Sequence, residues 1–162
     1  MKTHPMERDG RPAQARPAAE GITLVEVLVV IAIICMLAAA LMPVYNKARL
    51  RALTVSTKTI IHSIEAAFSM YTSDFGDYPA HSGSDTSFLV GLLQGPVESS
   101  LWKGPYMRFR EKDLDPDNNI VDAWGSPLYY GYPQEEKDNV PYLIISPGPD
   151  RKQATPDDIG NW

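Results

Sequence analysis

Three aspartates close to the carboxyl terminus are the side chains of this sequence best suited to chemistry. Asp150 and the adjacent pair Asp157 and Asp158 lie within nine residues, in a segment rich in proline and glycine. Hard cations such as Ca²⁺ take about six to eight oxygen ligands and tolerate irregular geometry, so a loop can supply them. The spacing therefore indicates a candidate calcium site, with a solvated acidic loop as the alternative.

A second acidic cluster, residues 113–119, begins like the calcium loop of an EF-hand. Asn118 stands where that loop needs its tight-turn glycine, and Trp124 stands where it needs a bidentate acid. We therefore expect a solvated loop here.

No arrangement of side chains in the sequence is typical of an enzyme. His4, His62 and His81 lack metal-ligand spacing, and neither a G-x-S-x-G motif nor a phosphate-binding loop occurs. The single cysteine, Cys35, lies in an apolar run, where we expect it to pack as a small apolar residue. We expect a structural protein without catalytic activity.

An apolar run near the amino terminus is preceded by a single acid. Residues 27–44 are 18 consecutive apolar residues, and with the partly apolar turn before them they are long enough for a transmembrane helix. Glu26 stands at the start of this run. A carboxylate in lipid costs about 2.5–3.5 kcal/mol, so such a residue usually has a partner and a function. The alternatives are a secretory signal cut near residues 38–40, a lipoprotein signal at Cys35, and a plain membrane anchor.

The start of the run resembles the processing signal of the type IV pilin and pseudopilin superfamily. The segment G-I-T-L-V-E begins at Gly21, and in that superfamily a prepilin peptidase cuts after the glycine. The resemblance implies cleavage between Gly21 and Ile22, with N-methylation of Ile22, although the family usually has Phe or Met at that position. Glu26 matches the family's assembly glutamate, and Pro43 matches its helix-bending proline.

Three further segments resemble the major pseudopilin of type II secretion. They are Trp102-Lys103-Gly104-Pro105-Tyr106, Asp122-Ala123-Trp124-Gly125-Ser126-Pro127 and Asp158-Ile159-Gly160-Asn161-Trp162. They are similar to W-K-G-P-Y, D-P-W-G-N-P and D-I-G-x-W segments, with Ala123 and Ser126 as departures. The resemblance implies a subunit that self-assembles into a periplasmic filament with minor pseudopilins on an inner-membrane assembly platform. The alternatives are a type IV or competence pilus subunit and, from another class, a membrane-tethered periplasmic binding protein.

The same resemblance implies a calcium-ligand set. In the family, one aspartate and an adjacent pair seven residues later bind Ca²⁺ together with backbone carbonyls. The matching candidates are the carboxylates of Asp150, Asp157 and Asp158, the carbonyl of Pro147 and an oxygen of Thr155. The intervening segment departs from the family, because Arg151 and Lys152 are cations that would lower the calcium affinity unless they point outward.

The elements that must position these groups divide the chain into four segments. We predict a leader peptide over residues 1–21, a transmembrane half-helix over 22–44, an amphipathic periplasmic half-helix over 45–73, and a head over 74–162 that ends in the calcium loop. Apolar positions at helical spacing predict the face that meets the head: Leu50, Leu53, Thr57, Ile60, Ile64, Phe68 and Tyr71.

The head is predicted to contain one short helix and a hairpin. We expect the long helix to reach about residue 72 and to stop near residues 74–79, where a glycine can cap it and a proline prevents continuation. We also expect a second helix over about 87–93 and an antiparallel hairpin formed by residues 128–132 and 142–146. The predicted class is therefore α+β, with a long amino-terminal helix packed against a small antiparallel sheet.

The head is acidic, and the charges around the apolar run are balanced. Residues 74–162 carry 15 acidic and 7 basic side chains, which argues against nucleic-acid binding because that function requires a basic face. Basic residues flank the apolar run on both sides, so charge does not fix its orientation. A single pass through the inner membrane, contact with membrane lipid and a periplasmic head follow from the resemblance.

Overall fold

The computed structural model describes residues 21–162 and, within them, two α-helices and four short strands. Helix α1 spans Leu24–Phe75 and helix α2 spans Ser87–Gln94. The strands are β1 His81–Gly83, β2 Tyr129–Tyr132, β3 Leu143–Ser146 and β4 Ile159–Gly160, and a 3₁₀ turn covers Glu111–Asp113. The predicted leader lies outside the described residues, except for Gly21.

The chain divides into two compact units. The first ends at Met42, and the second is Pro43–Trp162. In the first unit every described side chain is exposed, and the helix to which it belongs is long and apolar enough to cross a membrane. Pro43 lies inside α1 at the boundary between the units, where it removes one backbone donor from the helix.

Both ends of α1 have recognisable caps. The Thr23 hydroxyl accepts a hydrogen bond from the Glu26 N–H at 3.2 Å, which satisfies a free donor of the first turn. Gly76 has φ +84° and donates its N–H to the Thr72 carbonyl at 2.8 Å, the arrangement of a left-handed C-terminal cap. The helix therefore ends at Phe75, within residues 74–79, where the sequence predicts it to stop.

The second unit contains a four-stranded antiparallel sheet in the order β1-β2-β3-β4. Its register pairs His81 with Tyr132, Tyr130 with Ile144, and Ser146 with Ile159. The predicted hairpin corresponds to β2 and β3. The α+β class predicted from the sequence is confirmed.

The core of the second unit forms where the later part of α1 meets the sheet. Phe68 is fully buried, and its ring centroid lies 5.3 Å from that of Tyr130 and 5.0 Å from that of Tyr142. The buried residues of α1 are Thr57, Ile60, Ile61, Ile64, Ala67, Phe68 and Tyr71. Leu50, predicted to face the head, is instead 48% exposed, because the buried face begins one to two turns later.

Candidate functional site

The proposed cleavage site lies before the first turn of α1. Gly21 and Ile22 precede the helix, and Ile22 is 75% exposed. Among residues 21–162, no atom lies within 4 Å of a Cβ atom added at Gly21. Within the described residues, the fold therefore does not require glycine at this position.

Glu26 lies in the first turn of α1 and is exposed. The amino-terminal end of a helix carries a partial positive charge, which favours a carboxylate there. The capping role of Thr23 was not predicted, although the pattern Thr23-x-x-Glu26 is the usual signature of such a cap. Glu26 is thus held at a fixed place in the helix while its side chain remains available.

The segment between β3 and β4, residues 147–158, is the acidic loop. It brings oxygen atoms together around one hydroxyl group. The Thr155 hydroxyl oxygen lies 2.8 Å from Asp157 Oδ1, 3.3 Å from Asp158 Oδ1 and 3.5 Å from Asp150 Oδ1. The Lys152 carbonyl oxygen is 3.1 Å from the same hydroxyl. A hydroxyl carries one proton, so most of these approaches place oxygen lone pairs against each other. A bound cation would relieve that repulsion.

Main-chain donors hold the carboxylates of the loop in place. The Asp150 N–H donates to Asp157 Oδ2 at 3.2 Å, the Lys152 N–H to Asp150 Oδ1 at 2.8 Å, and the Ala154 N–H to Asp158 Oδ2 at 2.9 Å. The hydrogen bond from the Thr155 hydroxyl is the main cause that lowers the pKa of Asp157; partial burial opposes it, and the Asp150 N–H adds to it. The loop therefore favours ionised Asp157.

The predicted ligands are oxygen atoms, the type that a hard cation prefers. Only some of them converge on one point. Across residues 21–162, no three His, Cys, Asp or Glu side chains form a group that could hold a metal ion by themselves. The five oxygens that converge include a hydroxyl and the Lys152 carbonyl, which the sequence analysis missed because a backbone carbonyl leaves no signal in a sequence. Pro147 is buried, and its carbonyl accepts no hydrogen bond from this cluster.

The two cations that interrupt the loop form no ion pair with its carboxylates. The Arg151 guanidinium donates to the Trp124 carbonyl at 2.9 Å. Lys152 is exposed, and none of the ion pairs found in the described part of the chain joins either cation to the three aspartates. In the described part of the chain, neither Arg151 nor Lys152 is therefore paired with a predicted calcium ligand.

The second acidic cluster is satisfied internally. Asp115 Oδ1 accepts the N–H groups of Asp117 and Asn119 at 2.9 and 2.7 Å. Asn119 in turn accepts the Thr86 N–H at 3.0 Å. These bonds build a turn, and the structure gives it no feature of a ligand site.

Comparison with known proteins identifies the family of most of this chain. Residues 44–162 match the family model of type II secretion system (T2SS) protein G, and residues 16–42 match the prokaryotic N-terminal methylation motif. The type II secretion system core protein G of Pseudomonas aeruginosa is 32% identical over 150 residues, covering 91% of this chain and 97% of that protein. The protein of the same name from Escherichia coli is 28% identical over 149 residues, covering 92% and 94%.

A solved structure gives a weaker likeness. The crystal structure of the major pseudopilin from the type 2 secretion system of enterohaemorrhagic Escherichia coli shares 25% identity and covers 72% of this chain and 87% of that one, with a TM-score of 0.45. The family model covers well over half of the chain. The chain belongs to the type II secretion system protein G family.

Proposed function

We propose that this protein is the major structural subunit of a type II secretion pseudopilus, a filament built mainly from copies of this chain. The observation that carries the proposal is the exposure of α1 before the head. Every side chain from residue 22 to residue 44 is exposed, whereas residues further along the same helix, such as Ile64 and Phe68, are fully buried. A helix of this kind needs a second environment for its first half.

Lipid and neighbouring subunits supply that environment in turn. Leu24 is 81% exposed and Ile31 is 53% exposed, and burying apolar surface contributes about 25 cal/mol per Å². Before assembly, residues 22–44 span the inner membrane once, with the head in the periplasm. After assembly, the same residues pack against the helices of neighbouring copies, where shape and interhelical polar contacts decide the association.

Glu26 selects the assembled state. Cleavage after Gly21 creates a new amine on Ile22, and N-methylation leaves that amine cationic. We infer that the Glu26 carboxylate of one copy is neutralised by the Ile22 amine of a neighbouring copy. The pairing offsets the cost of a carboxylate in an apolar environment, so a copy with an unpaired Glu26 is unfavourable in the filament core.

Calcium stabilises the head in this proposal. Asp150, Asp157, Asp158 and Thr155 would hold the ion with the Lys152 carbonyl, and water or the Pro147 carbonyl would complete a shell of about six to eight oxygens. The ion supplies positive charge where these oxygens repel one another. It performs no chemical step.

The partners follow from the same role. A prepilin peptidase processes the chain between Gly21 and Ile22. Minor pseudopilins and an inner-membrane assembly platform take part in building the filament. The protein has no catalytic activity of its own and binds no nucleic acid.

Separating membrane insertion from assembly tests the proposal. Full-length Glu26→Leu should insert into the membrane as well as the parent chain, because it removes a charge from lipid, yet it should form no filaments. Cys35→Ala is the matched control, since it changes the same exposed apolar stretch without altering charge. Membrane fractionation measures insertion, and electron microscopy with cross-linking of neighbouring copies measures assembly.

Either of two results would contradict the role given to Glu26. Normal filaments from Glu26→Leu would show that no charge pairing is needed. Loss of filaments from Cys35→Ala as well would show that assembly is sensitive to any change in this stretch and that Glu26 has no special part.

A further inference from the structure

Asp122 is a buried carboxylate that lies outside the proposed calcium ligands. It is 4% exposed, and no ion pair in the described chain includes it. One of its oxygens, Oδ1, accepts the N–H groups of Trp124 and Ser126, both at 2.9 Å. These two bonds shape the turn over residues 122–126. Its other oxygen, Oδ2, accepts a hydrogen bond from outside this turn.

Asp122 Oδ2 is bonded to the strand that leads into the acidic loop. The Ser146 hydroxyl, fully buried at the end of β3, donates to it at 2.6 Å. The same hydroxyl oxygen accepts the Gly148 N–H at 3.0 Å. The carboxylate therefore orients a hydroxyl that in turn fixes the backbone at the first turn of the loop.

Gly148 lies directly against the backbone of a proposed ligand. Its φ is +66°, and a Cβ atom added there would overlap the Asp157 carbonyl oxygen. Fixing the Gly148 N–H thus fixes the loop segment on which the Asp157 backbone rests. The path from Asp122 to this ligand contains only Ser146 and Gly148.

A second hydrogen bond joins the turn over residues 122–126 to the acidic loop. The Arg151 guanidinium donates to the carbonyl of Trp124, within the turn that Asp122 shapes. Ala123, the second residue of that turn, donates its N–H at 3.1 Å to the hydroxyl of Thr57, a fully buried residue of α1. The turn over residues 122–126 is consequently bonded to the acidic loop on one side and to α1 on the other.

We propose that Asp122 is a positioning residue for the calcium loop, acting through Ser146 on Gly148 and through the Trp124 carbonyl on Arg151. The proposal rests on the calcium site of the proposed function. With these bonds present, the loop is held near its ligand arrangement before the ion arrives, so less ordering is required on binding. Coupling of this kind is reciprocal, so calcium in turn stabilises the turn that contacts Thr57.

Calcium titration of the full-length chain in detergent micelles tests this inference. Ser146→Ala removes the link while leaving Asp122 bonded to its turn, and Asp122→Asn removes the charge that the Ser146 hydroxyl donates to. Each should raise the calorimetric Kd for CaCl₂ about tenfold, which corresponds to about 1.4 kcal/mol. Asp115→Asn is the matched control, because Asp115 shapes a comparable turn that has no bond to the acidic loop.

The difference between the melting temperatures measured with calcium and with chelator separates a positioning role from general support of the fold. Ser146→Ala and Asp122→Asn should narrow the difference between the melting temperatures measured with calcium and with chelator, whereas Asp115→Asn should lower both temperatures equally. The three tryptophans all lie in the head, so intrinsic fluorescence reports its unfolding.

Each contrary result has a distinct meaning. If the parent chain binds calcium and both variants bind it with the parent's Kd, the positioning role is refuted and the calcium site stands. If the parent chain shows no calcium binding, the calcium part of the proposed function fails, and this inference fails with it. If Asp115→Asn raises the Kd as much as Ser146→Ala does, the effect is general destabilisation and the inference is overturned.

Discussion

Replacing Asp157 by alanine should remove the stabilisation of the head by calcium. Asp157 receives the shortest contact of the oxygen cluster, 2.8 Å from the Thr155 hydroxyl, and it also accepts the Asp150 N–H. It is therefore central to the set that would hold the ion. Its loss leaves two carboxylates, and their remaining negative charge attracts calcium less strongly.

The expected magnitude follows from binding linkage. An ion that binds only the folded state stabilises it by RT ln(1 + [L]/Kd), which is about 2.7 kcal/mol when free calcium is a hundredfold above Kd. For a unit of the size of residues 43–162, about 1 kcal/mol shifts the melting temperature by roughly 4 °C. The parent chain should thus melt about 10 °C higher with calcium at that excess than with chelator.

Asp157→Ala should lose this difference, and its melting temperature in chelator should stay near that of the parent. It loses two hydrogen bonds, but it also removes one of three carboxylates that repel one another. The assay is thermal unfolding of the full-length chain in detergent, followed by tryptophan fluorescence in CaCl₂, MgCl₂ and chelator. Asp117→Ala is the matched control, because Asp117 is exposed and its removal makes the same change in net charge.

Magnesium distinguishes a binding site from simple charge screening. Mg²⁺ demands near-ideal octahedral geometry and gives up its waters reluctantly, so an irregular loop should favour Ca²⁺. Equal melting temperatures of the parent chain in calcium, magnesium and chelator would refute the site. A calcium effect that survives in Asp157→Ala would remove Asp157 from the ligand set.

Three further predictions concern the head. Phe68→Ala should destabilise the head by about 3–5 kcal/mol, because it empties the centre of the aromatic core; a change below about 1 kcal/mol in denaturant unfolding would contradict the burial of Phe68 in that core. Hydrogen bonds from Tyr106 and then Lys103 lower the pKa of Asp74, so its stabilising effect is present above about pH 4, the ordinary carboxyl range, and is lost as the pH falls further. The melting temperature of Asp74→Asn should therefore fall less than that of the parent between pH 5 and pH 3. An equal fall would show that protonation of Asp74 does not cause the loss of stability at low pH. Gly148→Ala should lower the melting temperature and weaken calcium binding together, because the new Cβ atom meets the Asp157 carbonyl oxygen and φ is positive; unchanged calcium binding would show that the loop can shift freely.

Local patterns in the sequence predicted the larger elements. Each of these elements has its signal within its own stretch of sequence. The signal is the apolar and then amphipathic spacing in α1, the apolar composition in α2, and the β-branched and aromatic residues in β2 and β3. Strands β1 and β4 were not predicted, because they contain only three and two residues and exist through their pairing with β2 and β3. Leu50 was misplaced because helical spacing gives the direction of a face and not the residue at which the head begins to cover it.

The candidate site shows the same limit. The spacing of Asp150, Asp157 and Asp158 is a local signal, and the structure brings all three within reach of one hydroxyl. The contact between Asp122 and Ser146 joins residues that are 24 positions apart, so no local pattern contains it. The position of the Arg151 guanidinium likewise depends on a carbonyl 27 positions away.

The mass of the mature chain tests most directly whether this protein is processed as a filament subunit. Intact-mass and amino-terminal peptide measurements on protein extracted from the inner membrane should find a chain of 141 residues that begins at N-methylated Ile22. Replacing Gly21 by a bulky residue should leave the full-length chain in the membrane, because the open space around Gly21 lets the fold tolerate the change while the peptidase does not. A parent chain that keeps its first 21 residues, or that begins near Leu41, would contradict that processing and the assembly that depends on it.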